Sequence, residues 1–345
     1  MLTKPELAKI KELLEESQNP LFFFDNDVDG LCSFLILRRA LERGKGVAIK
    51  SFPELNKEYS RKVSELDPDC VFILDKPRVD RDFINSIAEK GIPIIWIDHH
   101  EVQVEQEILD KLTYFNSFPT SEPVTYLCYN IFNKKEDMWL AMIGCIGDVY
   151  MPKFAKEFSE QYPDLFNSKL SAFDSLYMTE VGKIVKMLNF GLKDTTTNVL
   201  NLIRHLINIK NIQDITEENK FTKQLHYRFN HLNKIYEKLL TKAEKNASNS
   251  KLLFFSYSGE ISLSSEISNE LYFKHKKKLI AVAFRKQDRA NISIRGENAK
   301  KITLKAIKNI EGAGGGGHEQ ACGVQVPIDK LNEFRENLEK ELGKK

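Results

Sequence analysis

At 345 residues the chain has room for two domains, and a 42% apolar content is enough to build real cores. Charged residues make up 29% and leave a net charge of +2, so there is no global electrostatic case for nucleic acid and any basic footprint must be local. The five cysteines (Cys32, Cys70, Cys128, Cys145 and Cys322) are scattered and form no CxxC pair, which excludes a zinc-finger or disulfide framework.

Leu2 to Ser17 carries Leu7, Ile10, Leu13 and Leu14 at helical spacing. It has no apolar core of the signal-peptide kind. No run approaches the ~18 apolar residues of a membrane-spanning helix, so no membrane partner is expected and the expected location is the cytoplasm. Pro20 breaks the helix, and the aromatic run Leu21 to Phe24 reads as a buried strand. Asp25, Asp27, Asp29 and Gly30 follow it. In an extended segment, residues i, i+2 and i+4 share one side, so the three carboxylates are expected to converge. Their repulsion calls for a positive charge, and hard divalent cations favour oxygen ligands.

Leu31 to Arg43 then reads as a helix, Val47 to Phe52 as a strand and Tyr59 to Leu66 as a helix. Cys70 to Leu74 is a second buried strand ending on Asp75. Arg81 to Lys90 is a helix, and Ile94 to Ile97 is a third strand ending in Asp98-His99-His100. Alternating strands and helices imply right-handed crossovers and a parallel sheet, whose ligands bind beyond the carboxyl ends of the strands. Leu112 to Asn116 reads as a further strand, Pro119 to Pro123 as a loop and Val124 to Phe132 as a helix. Met138 to Ile146 is an apolar helix that delivers Gly147-Asp148.

Met151 to Asn246 is helical throughout, with breaks at Gly191–Asp194 and Asn211–Asp214 and a long basic helix over Thr222 to Lys245. The basic face reads either as a solvated surface or as the border of a nucleic-acid groove. Asn246 to Ser250 is a plausible linker. Beyond it, Leu252–Tyr257, Leu279–Phe284, Asn291–Arg295 and Val324–Val326 read as strands of a second sheet. Ser265–Leu271, Ile302–Ile310 and Leu331–Leu342 read as helices. The expected layout is an α/β catalytic domain over 1–160 with a parallel sheet flanked by helices. A helical connector over 161–248 and a smaller α/β substrate-binding domain with a mixed sheet over 249–345 follow.

The chemistry-bearing inventory is Asp25, Asp27, Asp29, Asp75, Asp98, His99, His100 and Asp148. Mixed carboxylate and imidazole ligation suits manganese, and magnesium where carboxylate and water dominate. Two ions sharing a carboxylate sit ~3.5–4 Å apart, the spacing used for in-line phosphoryl displacement. The chain has no nucleophile elbow, no P-loop and no dinucleotide-binding glycine motif. Near the C-terminus, Gly312 and Gly314 to Gly317 let backbone approach a ligand and offer amide groups to an anion. His318 follows them directly, and Arg295 is a candidate phosphate or carboxylate clamp. His205, His226, His231 and His275 lack such context and read as surface or interface residues.

These motifs, in this order, resemble the DHH phosphoesterase superfamily. The DHH triplet stands here as Asp98-His99-His100, the DxDxDG element as Asp25 to Gly30, and the later acidic motifs as Asp75 and Gly147-Asp148. The stretch Gly315 to Gly323 is similar to the GGGHxxAxG signature of the associated DHHA1 domain. The resemblance implies a phosphodiesterase with two divalent ions, manganese being favoured and magnesium the alternative. It implies that Asp27 serves the first ion and Asp29 the second, that Asp75 bridges them, and that His99 and Asp148 complete the second site. His100 would contact the scissile phosphate. Gly315, Gly316, Gly317, His318 and Arg295 would hold the substrate's other phosphates or its terminus.

Two departures stand out. Phe23 occupies a position where many members carry a metal-binding histidine, so that Asp25 would substitute for it. Lys76 follows Asp75 and is a candidate phosphate contact. The resemblance favours a RecJ-like exonuclease on single-stranded DNA or RNA. The alternatives are a nanoRNase, a cyclic-dinucleotide or pAp phosphodiesterase acting on a short oligonucleotide, and a catalytically silent replication scaffold. The helical middle offers a surface for self-association or for a replication or repair partner.

Overall fold

The structure, a computed structural model, describes residues 1–50, 54–120, 122–247 and 250–343. The chain divides into two compact units, Met1–Phe229 and Asn230–Lys345. The first begins with α1 (Lys4–Glu16), whose N-terminus is closed by a reciprocal capping box between Thr3 and Glu6. Then come β1 (Pro20–Asp25), α2 (Val28–Leu41), β2 (Lys45–Ile49), α3 (Ser60–Leu66), β3 (Cys70–Leu74), α4 (Arg81–Ala88), β4 (Ile94–Asp98), α5 (Gln106–Leu109), β5 (Thr113–Asn116), α6 (Val124–Phe132) and α7 (Met138–Gly147). The strand expected over Val47 to Phe52 begins earlier, at Lys45, and its end falls partly outside the described residues.

All five strands are parallel, in the order β2-β1-β3-β4-β5. β1 lies near the middle and is covered on both faces, which is why it can be aromatic throughout. Phe22 and Phe24 point one way: Phe24 stacks on Phe34 of α2 at 5.0 Å, and Phe22 stacks on Phe72 at 5.2 Å. Phe23 points the other way and meets Phe83 of α4 edge-on at 5.3 Å. All three rings are 0% exposed, each adding roughly 1.5–3 kcal/mol by burial. Register then does the positioning. Phe24 lies beside Leu74, Leu74 beside Ile97, and Asp98 beside Asn116, so Asp25, Asp75 and Asp98 arrive at one edge.

The helical stretch comprises α8 (Ala155–Gln161), α9 (Ala172–Met178), α10 (Glu180–Leu192), α11 (Thr196–Asn208), α12 (Gln213–Thr216) and α13 (Lys223–Lys245). Up to Phe229 it belongs to the first unit. Arg39 of α2 fixes it there, pairing with buried Asp137 at 2.6 Å and donating to the Ile207 and Ile209 carbonyls.

The second unit contains β6 (Leu252–Ser258), α14 (Ser264–Lys274), β7 (Leu279–Lys286), β8 (Arg289–Arg295), α15 (Ala299–Ile307), β9 (Gly314–His318), β10 (Ala321–Pro327) and α16 (Leu331–Gly343). Its sheet runs β6-β7-β8-β10-β9, with β6 parallel to β7 and the other pairs antiparallel. The mixed sheet matches the expectation. The glycine run is a paired strand at the sheet's edge, and the last expected strand is longer than Val324–Val326. The linker expected over Asn246 to Ser250 falls partly outside the described residues.

Candidate metal centre and phosphate-binding edge

The three aspartates after β1 do converge, but not by strand alternation. The strand stops at Asp25, Asp27 is the N-cap of α2, and Asp29 sits in that helix's first turn. Asp27 accepts from the Gly30 amide at 2.9 Å, satisfying a donor that the helix start would leave unpaired. Gly30 is required by this tight entry: a Cβ there would lie 2.4 Å from the Asp25 carbonyl oxygen. Asp29 is 3% exposed, and its two oxygens accept from the Val124 and Thr125 amides at 2.9 and 2.8 Å. It therefore also caps the N-terminus of α6, where a carboxylate is favoured by the helix dipole.

Asp75 directly follows β3 with φ +58°, a left-handed conformation that aspartate tolerates better than most residues. Its amide donates to the Ile97 carbonyl at 3.0 Å, which pins the turn to the neighbouring strand. His99 stands between Asp75 and Asp148: Nε2 lies 3.2 Å from Asp75 Oδ1, and Nδ1 lies 3.6 Å from Asp148 Oδ2. Neither contact has hydrogen-bond geometry, so the buried Asp75 Oδ1 and His99 Nδ1 form no hydrogen bond.

His100 uses Nδ1 for Asp98, at 2.8 Å, and the same nitrogen lies 3.9 Å from Asp75 Oδ1. Asp98 is 0% exposed. Asn116 donates to the His100 carbonyl at 2.9 Å and to the Tyr114 hydroxyl at 2.6 Å, and that hydroxyl reaches Asp98 at 3.4 Å. Asp98, part of the sequence inventory of carboxylates and histidines, thus turns toward His100 and acts as its holder. Sequence reasoning missed this network. Its signal was the Tyr114-x-Asn116 alternation on a strand adjoining β4.

The electrostatics describe an acidic centre that resists full ionisation. Burial, then repulsion from Asp29 and Asp27, pushes the Asp75 carboxyl well above its ordinary range. Asp148 is pushed up to about 6 by the protein around it, with His99 working in the opposite direction. Asp27 is pushed up to about 7 by the surrounding protein and then by Asp25 and Asp29. Asp27 is solvent-accessible, so the neighbouring carboxylates carry the greater weight. Burial would lower the His100 pKa, but the hydrogen bond and charge of Asp98 outweigh it and raise it. Asp98 in turn is held below its ordinary value by His100, against its own burial.

These residues fit a divalent cation. Asp75, His99 and His100 bring one ligand atom each to within 4.8 Å of one another, as do Asp29, His99 and Asp148. Asp75 Oδ1 and His99 Nδ1 are buried without a hydrogen bond, and the cluster is rich in carboxylates, the setting a hard cation stabilises. Asp25 and Asp27 belong to neither group among the described residues. Asp25 instead accepts from Lys76 Nζ at 2.9 Å.

In the second unit, register sets Arg295 beside Ala321 and Ala321 beside His318, so both sequence-predicted side chains lie in one row across the sheet. Arg295 is braced by Asn269 and by Ser265 Oγ at 3.0 Å, both on α14, and by the Ile294 carbonyl at 2.9 Å. Gly315, Gly316 and Gly317 are in β9. A Cβ on Gly315 would lie 2.5 Å from the Gly323 carbonyl oxygen, whereas one on Gly316 would meet nothing within 4 Å. His226, outside both sites, bonds the Ile215 carbonyl at 3.0 Å in a structural role.

A parallel sheet whose carboxyl edge gathers aspartates and histidines, followed by a mixed-sheet unit with a glycine edge, defines the DHH–DHHA1 class. Residues 21–147 match the DHH family, N-terminal domain, and residues 254–344 match the DHHA1 domain, together well over half of the chain. The chain belongs to the DHH phosphoesterase superfamily and carries a C-terminal DHHA1 domain. Its fold is similar to that of RecJ from Thermus thermophilus in complex with Mn2+, with a TM-score of 0.71 and 14% identity. That match takes in 100% of this chain but only 55% of that one. It is also similar to an exonuclease RecJ bound to manganese, with a TM-score of 0.66, 16% identity and coverage of 98% and 94%. A pGpG-specific phosphodiesterase, PggH from Vibrio cholerae, matches with a TM-score of 0.51, 13% identity and coverage of 94% and 99%. At these identities the likeness is one of fold. No curated protein sequence matches the chain. Among the described residues, no helix is long and apolar enough to cross a membrane.

Proposed function

We propose that the protein is a metal-dependent phosphodiesterase, a RecJ-like exonuclease that releases nucleotides from single-stranded DNA or RNA. The observation that carries this reading is His99 lying between Asp75 and Asp148, with buried Asp75 Oδ1 and His99 Nδ1 making no hydrogen bond. A divalent cation, manganese by choice and magnesium as the alternative, would be held through His99, with Asp75 on the Nε2 side of its ring or with Asp29 and Asp148 on the Nδ1 side. The resemblance implies a second ion, for which Asp25, Asp27 and Asp75 would be the residues to hold it. When bound, such a cation would supply charge to offset the phosphate oxygens and would lower the pKa of a bound water toward neutrality.

The chain's own residues do the rest. Asp98 fixes the His100 ring through Nδ1 and favours its protonated form, so His100 can donate to an oxygen of the scissile phosphate. Arg295 would bring a positive charge to a second phosphate, and α14 braces it so that little side-chain entropy is lost on binding. The glycine strand lets a nucleotide backbone approach closely, with His318 at its end.

A second reading, hydrolysis of a short or cyclic dinucleotide, is supported by the match to PggH over nearly the full length of both chains. End-labelled single-stranded DNA and RNA, incubated with Mn2+ beside a dinucleotide, separates the two. A ladder of shortened long strands is expected. Long strands left intact while the dinucleotide is consumed would favour the second reading, and no hydrolysis of either would defeat both.

A further inference from the structure

We propose that the Lys76 ammonium takes the place of one of the two divalent cations, so that the protein holds a single ion on the His99 side of its acidic centre. This rests on the metal-dependent reading above and narrows it.

Lys76 is 2% exposed, and its ammonium lies 2.9 Å from Asp25 Oδ1. A buried charge of this kind is tolerated only with a partner, and Asp25 supplies one. The residue is also anchored through its backbone, since the Trp96 indole donates to its carbonyl at 2.9 Å within the protein. A divalent cation on Asp25 would have to displace this ammonium or sit against it, where the two positive charges repel.

The neighbouring donors agree. Both metal-capable groups among the described residues contain His99, and neither contains Asp25 or Asp27. One Asp27 oxygen is engaged by the Gly30 amide as a helix cap. Phe23, the strand residue two before Asp25, is 0% exposed and packs its ring on Phe83 and Tyr59, so it offers no ligand. On the other side, His99 Nδ1 and Asp75 Oδ1 remain without hydrogen bonds. Positive charge is therefore built into one half of the centre by the chain, and the donors for an ion lie in the other half. The consequence is a fixed cation beside Asp25 whose presence does not depend on metal supply.

The test is a Mn2+ titration followed by calorimetry and by electron paramagnetic resonance. The wild-type protein should bind about one ion per chain, with the spectrum of an isolated manganese. Lys76→Met keeps the apolar stem and removes the charge, so the variant should bind about two ions and show an exchange-coupled pair. Two coupled ions in the wild type would overturn the proposal without needing any variant to fold. A well-folded Lys76→Met that still binds one ion would overturn the role of the lysine. Absence of any bound ion in the wild type would be a different failure, that of the metal-dependent reading itself, and would take this proposal with it.

Discussion

In the first unit the functional edge is built from side chains; in the second it is built largely from their absence. At the carboxyl edge of the parallel sheet, Asp75, Asp98 and His99 are each 5% exposed or less and are packed against one another. Their positions follow from strand register, and their protonation follows from burial and mutual repulsion. At the edge of the mixed sheet, β9 is four glycines and a histidine, exposed along most of its length. The first arrangement concentrates charge where water is scarce and so makes chemistry possible. The second exposes backbone and makes close approach possible. One edge is therefore sensitive to loss of a functional group, the other to gain of an atom.

The largest break in that contrast should come from Asp75→Ala. A residue that only supports a metal ligand costs about 10–100-fold when removed. Asp75, a proposed ligand, should cost more than ~100-fold in hydrolysis and weaken Mn2+ binding in the same protein. Rate assays beside a binding isotherm check it, and unchanged turnover would remove Asp75 from the centre.

Asp98→Asn should cost about 10–100-fold in kcat with little change in KM, because Asp98 acts through His100. It should also move the His100 limb of the pH profile to lower pH, since the carboxylate is what raises that pKa. A uniform loss at every pH, without a shift, would point to misfolding instead.

At the glycine edge, Gly315→Ala pushes a Cβ against β10 and should destabilise the second unit by ~1–3 kcal/mol, read as a lowered melting temperature. Gly316→Ala meets open space, so it should leave stability alone and weaken substrate binding only. Equal effects from the two would show that packing and approach are not separated on this strand.

Much of the first edge could be read from sequence because buried strands and acidic ends are each marked by residue type. The apolar runs ending at Asp25, Asp75 and Asp98 located the edge, and the helix Met138–Gly147 located Asp148. Register sets the three strand ends at one edge, and Asp148 follows α7. What escaped were the partnerships. No periodicity tells that Asp29 also caps α6, that Asp98 serves His100, or that Lys76 folds inward to Asp25, because each pairing depends on distances set by the tertiary fold. The DxDxD spacing suggested strand alternation, but helix capping by Asp27 overrode it. The glycine run gave no apolar pattern, so its pairing with β10 was hidden.

A smaller effect lies away from both edges. Burial would raise the Asp69 pKa, but the Ser17 hydroxyl and the Gln18 and Asn19 amides donate to its carboxylate and together hold it lower. The unfolded chain then binds more protons than the folded one across the acidic range, so this contribution is present above the ordinary carboxylate pKa and fades as pH falls through the folded value. Asp69→Asn should flatten the acid limb of stability against pH while leaving the metal centre unchanged. An unaltered acid limb in chemical denaturation would refute it.

The most direct test of the central claim is anomalous scattering from crystals grown with Mn2+. The account predicts a manganese peak in contact with His99 and Asp75 at the carboxyl edge of the parallel sheet. A well-ordered His99 and Asp75 with no peak beside them, or manganese bound only elsewhere, would contradict it.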